Sequence, residues 1–133
     1  RDQSEVITYE AGRLSIVYRW SKQNPLRGIL CTGGRWLAVG RLATSRGARD
    51  LFKKMPELRE VNLRLVTVMT SVHPIGDGKY RQERELNIEG DFTLSRRQAM
   101  KLDPTVLRTT LQGKRCNRFV KKLIDDVRLR SVN

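Results

Sequence analysis

The side chains able to do chemistry in this chain of 133 residues are dominated by cations on alternating, strand-like segments. Arg13, Arg19 and Trp20 form one such group, Arg35, Trp36 and Arg41 a second, and Lys79, Tyr80, Arg81 and Arg84 a third. Lys22, Arg27 and Arg64 complete the candidate set. Arginines on a strand face track phosphates, and aromatics between them give single-stranded bases a surface to stack on. Aromatics are only 6% of the chain, so phosphate contact must dominate. Trp20 and Trp36 also read as core, because each sits at or beside the apolar phase of its segment. The ten cations are expected to bind RNA.

The other reactive groups point away from catalysis. His73 is the single histidine, it precedes Pro74 and reads as an exposed loop residue, and no spacing draws Ser71 or Ser95 to it as in a catalytic triad. Glu83, Glu85, Glu89 and Asp91 could hold Mg²⁺, but Glu83 and Glu85 stand opposite basic neighbours and read as cross-strand charge partners. Gly33-Gly34 and Gly76-Asp77-Gly78 lack the Lys-Ser/Thr end of a phosphate loop and read as hairpin turns. Cys31 and Cys116 have no CxxC spacing; two free thiols are the better reading, with a disulfide the alternative. The expectation is a binding protein, not an enzyme, with neither cofactor nor metal.

Charge supports that expectation. There are 27 Lys+Arg against 14 Asp+Glu, a formal net charge of +13. The excess is even: residues 1–60 carry 12 basic and 6 acidic side chains, and residues 61–133 carry 15 and 8. It therefore belongs to the whole domain, not to a tail. A polyanion relieves such self-repulsion, and nucleic acid is the commonest polyanion. An anionic membrane surface or an acidic protein is the alternative partner. No apolar run approaches the roughly 20 residues of a membrane span. The chain opens on Arg1-Asp2-Gln3 without an initiator Met, so any leader lies outside it.

These cations need elements to hold them. Val6–Tyr9 and Arg13–Trp20 read as strands around Ala11-Gly12, with Leu14, Ile16, Tyr18 and Trp20 on one face of the second. Leu26–Thr32 and Arg35–Leu42 read as a third and fourth strand joined at Gly33-Gly34. Ser45–Met55 reads as a helix ended by Pro56. Val61–Val72 is a long strand, His73–Gly78 a loop, and residues 79–94 one long strand or two broken at Gly90-Asp91. A helix follows over Arg97–Leu102, and Thr105–Leu111 can restart it after Asp103-Pro104. Asn117–Arg130 reads as an amphipathic helix with Phe119, Val120, Leu123, Ile124 and Val127 on one stripe, either a subunit contact or a lid over the core.

Ser45 and Ser95 stand 50 residues apart, each where strand periodicity gives way to helical periodicity, and each can cap the following helix. The expected fold class is therefore α+β: duplicated ββββα units over about 6–56 and 58–112, then a terminal helix over 117–130, in one nucleic-acid-binding domain spanning 1–133.

A duplicated sheet-then-helix unit on a basic chain resembles the Whirly and Pur-alpha group of single-stranded nucleic-acid-binding proteins, which includes the kinetoplastid mitochondrial guide-RNA-binding proteins. The local resemblance lies in Val68-Met69-Thr70-Ser71-Val72-His73-Pro74-Ile75-Gly76-Asp77-Gly78-Lys79-Tyr80 and in Phe92-Thr93-Leu94-Ser95. The Lys-Gly-Lys-Ala stretch of plant Whirly first strands has no counterpart, and the arginine-rich strands suit the mitochondrial branch better. The resemblance implies a homo- or hetero-tetramer of homologous subunits in mitochondria. It would grip single-stranded RNA by its phosphates without sequence preference and promote annealing of guide RNA to mRNA during RNA editing. A structural ribonucleoprotein or ribosomal component, or a single-stranded DNA-binding transcription factor, is the alternative.

Overall fold

A computed structural model describes residues 4–21, 28–39, 48–101, 113–123 and 126–129. Among them, strands β1 (Ser4–Glu10) and β2 (Arg13–Ser21) are followed by helices α1 (Ile29–Val39) and α2 (Ala48–Lys54). Strands β3 (Glu60–Gly76) and β4 (Lys79–Ser95) come next, then α3 (Arg96–Met100), α4 (Gly113–Leu123) and strand β5 (Asp126–Leu129). The strands form one mixed sheet in chain order: β2 and β3 are parallel, and the other neighbours are antiparallel. The parallel pair requires a crossover, which α1 and α2 supply. The class is α+β, as expected. No ββββα unit recurs among the described residues.

Alternation in β2 and β3 sorts the sheet into two faces. Tyr18, Trp20, Val61, Leu63, Leu65, Phe92 and Leu94 are buried on one face beneath the helices. Tyr18 stacks on Trp20 with centroids 6.0 Å apart and meets Trp36 edge-on at 4.9 Å, so both tryptophans are core-associated. Arg13, Ser15, Val17 and Arg19 point to the opposite face, in the phase the alternation predicts.

The segment read as two strands around Gly33-Gly34 is the helix α1. Leu30, Gly33, Gly34 and Leu37 repeat at helical spacing and all four are buried. The glycines serve close approach here, not a turn. A Cβ on Gly33 would lie 2.3 Å from the Phe92 ring, and one on Gly34 would lie 2.2 Å from Val120. Arg35 consequently sits on a helix.

The terminal helix also differs from expectation. Its described part ends at Leu123, and Asp126–Leu129 is β5, hydrogen-bonded to Gly90–Thr93 of β4. Val120 is buried and Val127 packs partly against the core, so these two stripe residues form an internal lid and not a subunit contact. Phe119 and Ile124 lie outside what is described for side chains. Cys31 and Cys116 form a disulfide joining α1 to α4, which overturns the free-thiol reading. Two residues 85 apart in sequence gave no local signal of that pairing.

The long hairpin is longer than the sequence implied. His73, Pro74 and Ile75 belong to β3, with a register irregularity between Pro74 and Gly76, and the turn is Asp77-Gly78 alone. Their φ values of 53° and 71° are the left-handed pair of a two-residue hairpin turn. Residues 79–95 are one strand. Gly90-Asp91, read as a turn, lies in β4 paired with Leu65 and Arg64; the irregularity falls at Glu89, because Leu65 pairs with Gly90 and Val66 with Ile88.

Two polar devices fix the lower end of the sheet. Ser95 caps α3, its Oγ accepting from the Gln98 N–H at 3.2 Å, as predicted. Ser45 lies outside the described residues. Arg96 turns its guanidinium back on α2, donating to the carbonyls of Phe52 at 2.8 Å, Met55 at 2.6 Å and Leu58 at 2.9 Å. Helix ends leave carbonyls without partners, and a planar five-donor group satisfies several together. That cation is structural, and nothing in its spacing marked it.

Candidate nucleic-acid interface

The sheet face opposite the described helices, called the uncovered face because no described helix lies on it, carries four of the described arginines, and carboxylates accompany them. Arg13 lies 3.5 Å from Glu60, Arg64 lies 3.1 Å from Asp91, and Arg128 lies 3.2 Å from Asp126. Asn62, buried between β2 and β4, donates to Asp91 Oδ1 at 2.6 Å and to Thr93 Oγ1 at 3.0 Å, which fixes the Asp91 carboxylate toward Arg64. A shallow groove of about 490 Å³ crosses this face, lined by Thr8, Glu10, Arg13, Ser15, Val17, Glu60, Asn62 and Arg64. Its lining holds two cations and two carboxylates. Such a surface is neutral and offers a phosphate chain no excess of positive charge.

The β3–β4 hairpin separates the remaining predicted cations. Cross-strand pairing puts Tyr80, Gln82 and Arg84 on one face with Pro74, Val72 and Thr70, and Arg81 and Glu83 on the other with His73 and Ser71. Arg81 pairs with Glu83. His73 Nε2 is 3.0 Å from Ser71 Oγ and 3.5 Å from Glu83 Oε2, so serine, histidine and acid do meet. Both contacts fall on the same ring nitrogen and all three groups are exposed, whereas a triad needs the acid on the other nitrogen and shelter from water. Among the described residues no group of three or more His, Cys, Asp or Glu is placed to hold a metal ion. Likewise, among them no helix is long and apolar enough to cross a membrane.

Among the described residues the net positive charge lies on the helices. By sequence, the five strands contain seven Lys/Arg and eight Asp/Glu, whereas the four described helices contain eleven Lys/Arg and one Asp. Of those eleven, Arg35, Lys53, Lys54, Arg97, Arg115, Arg118, Lys121 and Lys122 are exposed. All four helices belong to one layer over the core, with α1 in contact with both α2 and α4, and α2 with α3. The Cys31–Cys116 bridge holds α4, the most basic helix, against α1. The layer is a cationic surface with one acidic residue, Asp50, on its elements.

The ten predicted cations are therefore dispersed. Arg13, Arg19 and Arg64 share the uncovered sheet face; Lys79, Arg81 and Arg84 lie on the hairpin; Arg35 lies on α1. Lys22, Arg27 and Arg41 fall outside the described residues. Arg115, Arg118, Lys121 and Lys122 lie together on α4 and stand outside the candidate set, which follows from placing the binding on strands. No family model matches this chain, and neither a curated protein nor a solved structure matches it.

Proposed function

We propose that this protein is a non-enzymatic polyanion-binding domain that holds single-stranded RNA by its phosphates across the helix layer. The observation that carries the reading is the segregation of charge, eleven basic residues to one acid on the helices against near balance on the strands. Phosphate contacts to Lys and Arg release counterions and require no base recognition, so the binding is sequence-tolerant. The same neutralisation lowers the repulsion between two complementary strands, which is how a protein without a catalytic site would speed annealing. In this reading the sheet arginines play a minor part, and guide-RNA pairing in mitochondria rests on the sequence resemblance alone.

A second reading has one observation in its favour. Disulfides persist in oxidising compartments and are rare where thiols are kept reduced. The Cys31–Cys116 bridge thus favours a partner met outside the reducing interior, such as DNA or an acidic polysaccharide. Fluorescence-anisotropy titration of the disulfide-bonded protein with single-stranded RNA, single-stranded DNA, duplex and heparin separates the two. Preference for single strands, with log affinity falling by roughly 0.7 per phosphate contacted for each unit of log salt, supports the RNA reading. Equal or tighter binding to heparin replaces it with the second.

A further inference from the structure

We propose that two copies of this chain pack through the sheet faces that no described helix covers, each laying its β3–β4 hairpin along the face of the other. The inference does not rest on RNA binding, since it uses the side of the sheet away from the helices.

The hairpin outruns the sheet. Pairing with β2 ends at Val68 and pairing with β5 ends at Gly90, so beyond those points β3 and β4 pair only with each other among the described residues. A two-stranded ribbon with both edges open is marginally stable in water. This one has a strongly sided composition. The face continuous with the uncovered sheet presents Val72 at 54% exposure, Tyr80 at 67%, Leu86 at 54% and Ile88 at 49%, with Gln82 and Arg84 between them. That face has no Asp, Glu or Lys, while the opposite face holds Arg81, Glu83 and Glu85. Tyrosine, aliphatics and a single arginine without lysine or carboxylate are the composition of an interface centre.

Size and charge select the occupant. A lipid bilayer would have to accept Gln82 and Arg84 within the apolar band, which is costly. A second copy offers Arg84 the carboxylates Glu10 and Glu60 on the rim of the groove across its own uncovered face. At strand spacings of about 4.8 Å and rises of about 3.3 Å per residue, the five-stranded face covers roughly 550 Å² and the ribbon adds roughly 300 Å². Each ribbon covers roughly 300 Å² of the other copy's face, so the two contacts of a two-fold pair bury roughly 600 Å² per partner, the lower end of the range of standard stable interfaces. A two-fold arrangement uses both parts of both copies.

Sedimentation equilibrium of the full chain tests this. The expected result is a dimer at micromolar concentration that becomes a monomer in Leu86→Glu and in Tyr80→Glu, with unchanged circular dichroism because both side chains are exposed. Arg118→Ala, on the helix side, is expected to leave the dimer intact. A wild-type monomer at micromolar concentration overturns the proposal, as does a dimer that persists in both hairpin variants. Leakage of dye from anionic vesicles caused by the wild type and lost in the variants also overturns it, since the ribbon would then seat in lipid.

Discussion

On the helix side of the sheet, eight of the eleven basic residues reach solvent and one acid stands on the same elements. On the uncovered side, Arg13, Arg64 and Arg128 each face a carboxylate within 3.5 Å. One chain thus treats arginine in two ways. An exposed strand pair such as Arg13–Glu60 adds about 0–1 kcal/mol and leaves little field beyond itself. Like charges on neighbouring helices repel one another and create a potential that a polyanion relieves. Net charge says what kind of partner the chain would attract; only the pairing of each cation says where that partner would dock.

The largest expected effect concerns the integrity of the basic face. In a chain-entropy account, a bridge between residues 85 apart restrains the unfolded state by about 4.5 kcal/mol. Reducing Cys31–Cys116, or replacing both cysteines by serine, should lower the thermal midpoint sharply. It should also weaken polyanion binding through α4 more than any change on the sheet face. An unchanged melt after reduction breaks the assignment of α4 to the rigid layer. Next in size is Arg96→Ala, which removes the guanidinium donors from the Phe52, Met55 and Leu58 carbonyls at and beyond the end of α2 and should cost about 3 kcal/mol by denaturant unfolding. Unlike the exposed cations, Arg96 should change stability far more than the salt dependence of binding. Smallest is Ser95→Ala, about 1 kcal/mol from the loss of one cap. A melt equal to that of the parent would remove the strand-to-helix switch from the account.

Some of this architecture was legible in the sequence. Period-two alternation placed β1, β2 and most of β3 and β4, and set Tyr18 and Trp20 inward, because each strand has one buried face. The Ser95 cap was legible for the same local reason. What misled was glycine. Gly33-Gly34 has the composition of a turn, and the reason for it, contact with Phe92 and Val120, lies 59 and 86 residues away. With α1 read as two strands, residues 6–56 took the form of a ββββα unit, the duplication followed, and Arg35 moved to a sheet. The Glu60 and Asp91 partners of Arg13 and Arg64 come from other strands and appear only with the register.

The central claim is that the helix layer, not the sheet, holds the phosphates. The direct measurement compares salt slopes of single-stranded RNA binding for two variants of the folded, disulfide-bonded protein: Arg115, Arg118, Lys121 and Lys122 all to Ala, and Arg13, Arg19 and Arg64 all to Ala. The account predicts that the helix variant loses on the order of a hundredfold in affinity and that its slope shrinks by about three. The sheet variant should stay within about threefold of the parent, with its slope unchanged to within about one. The opposite ranking, a steep loss for the sheet variant and little for the helix variant, would contradict the claim.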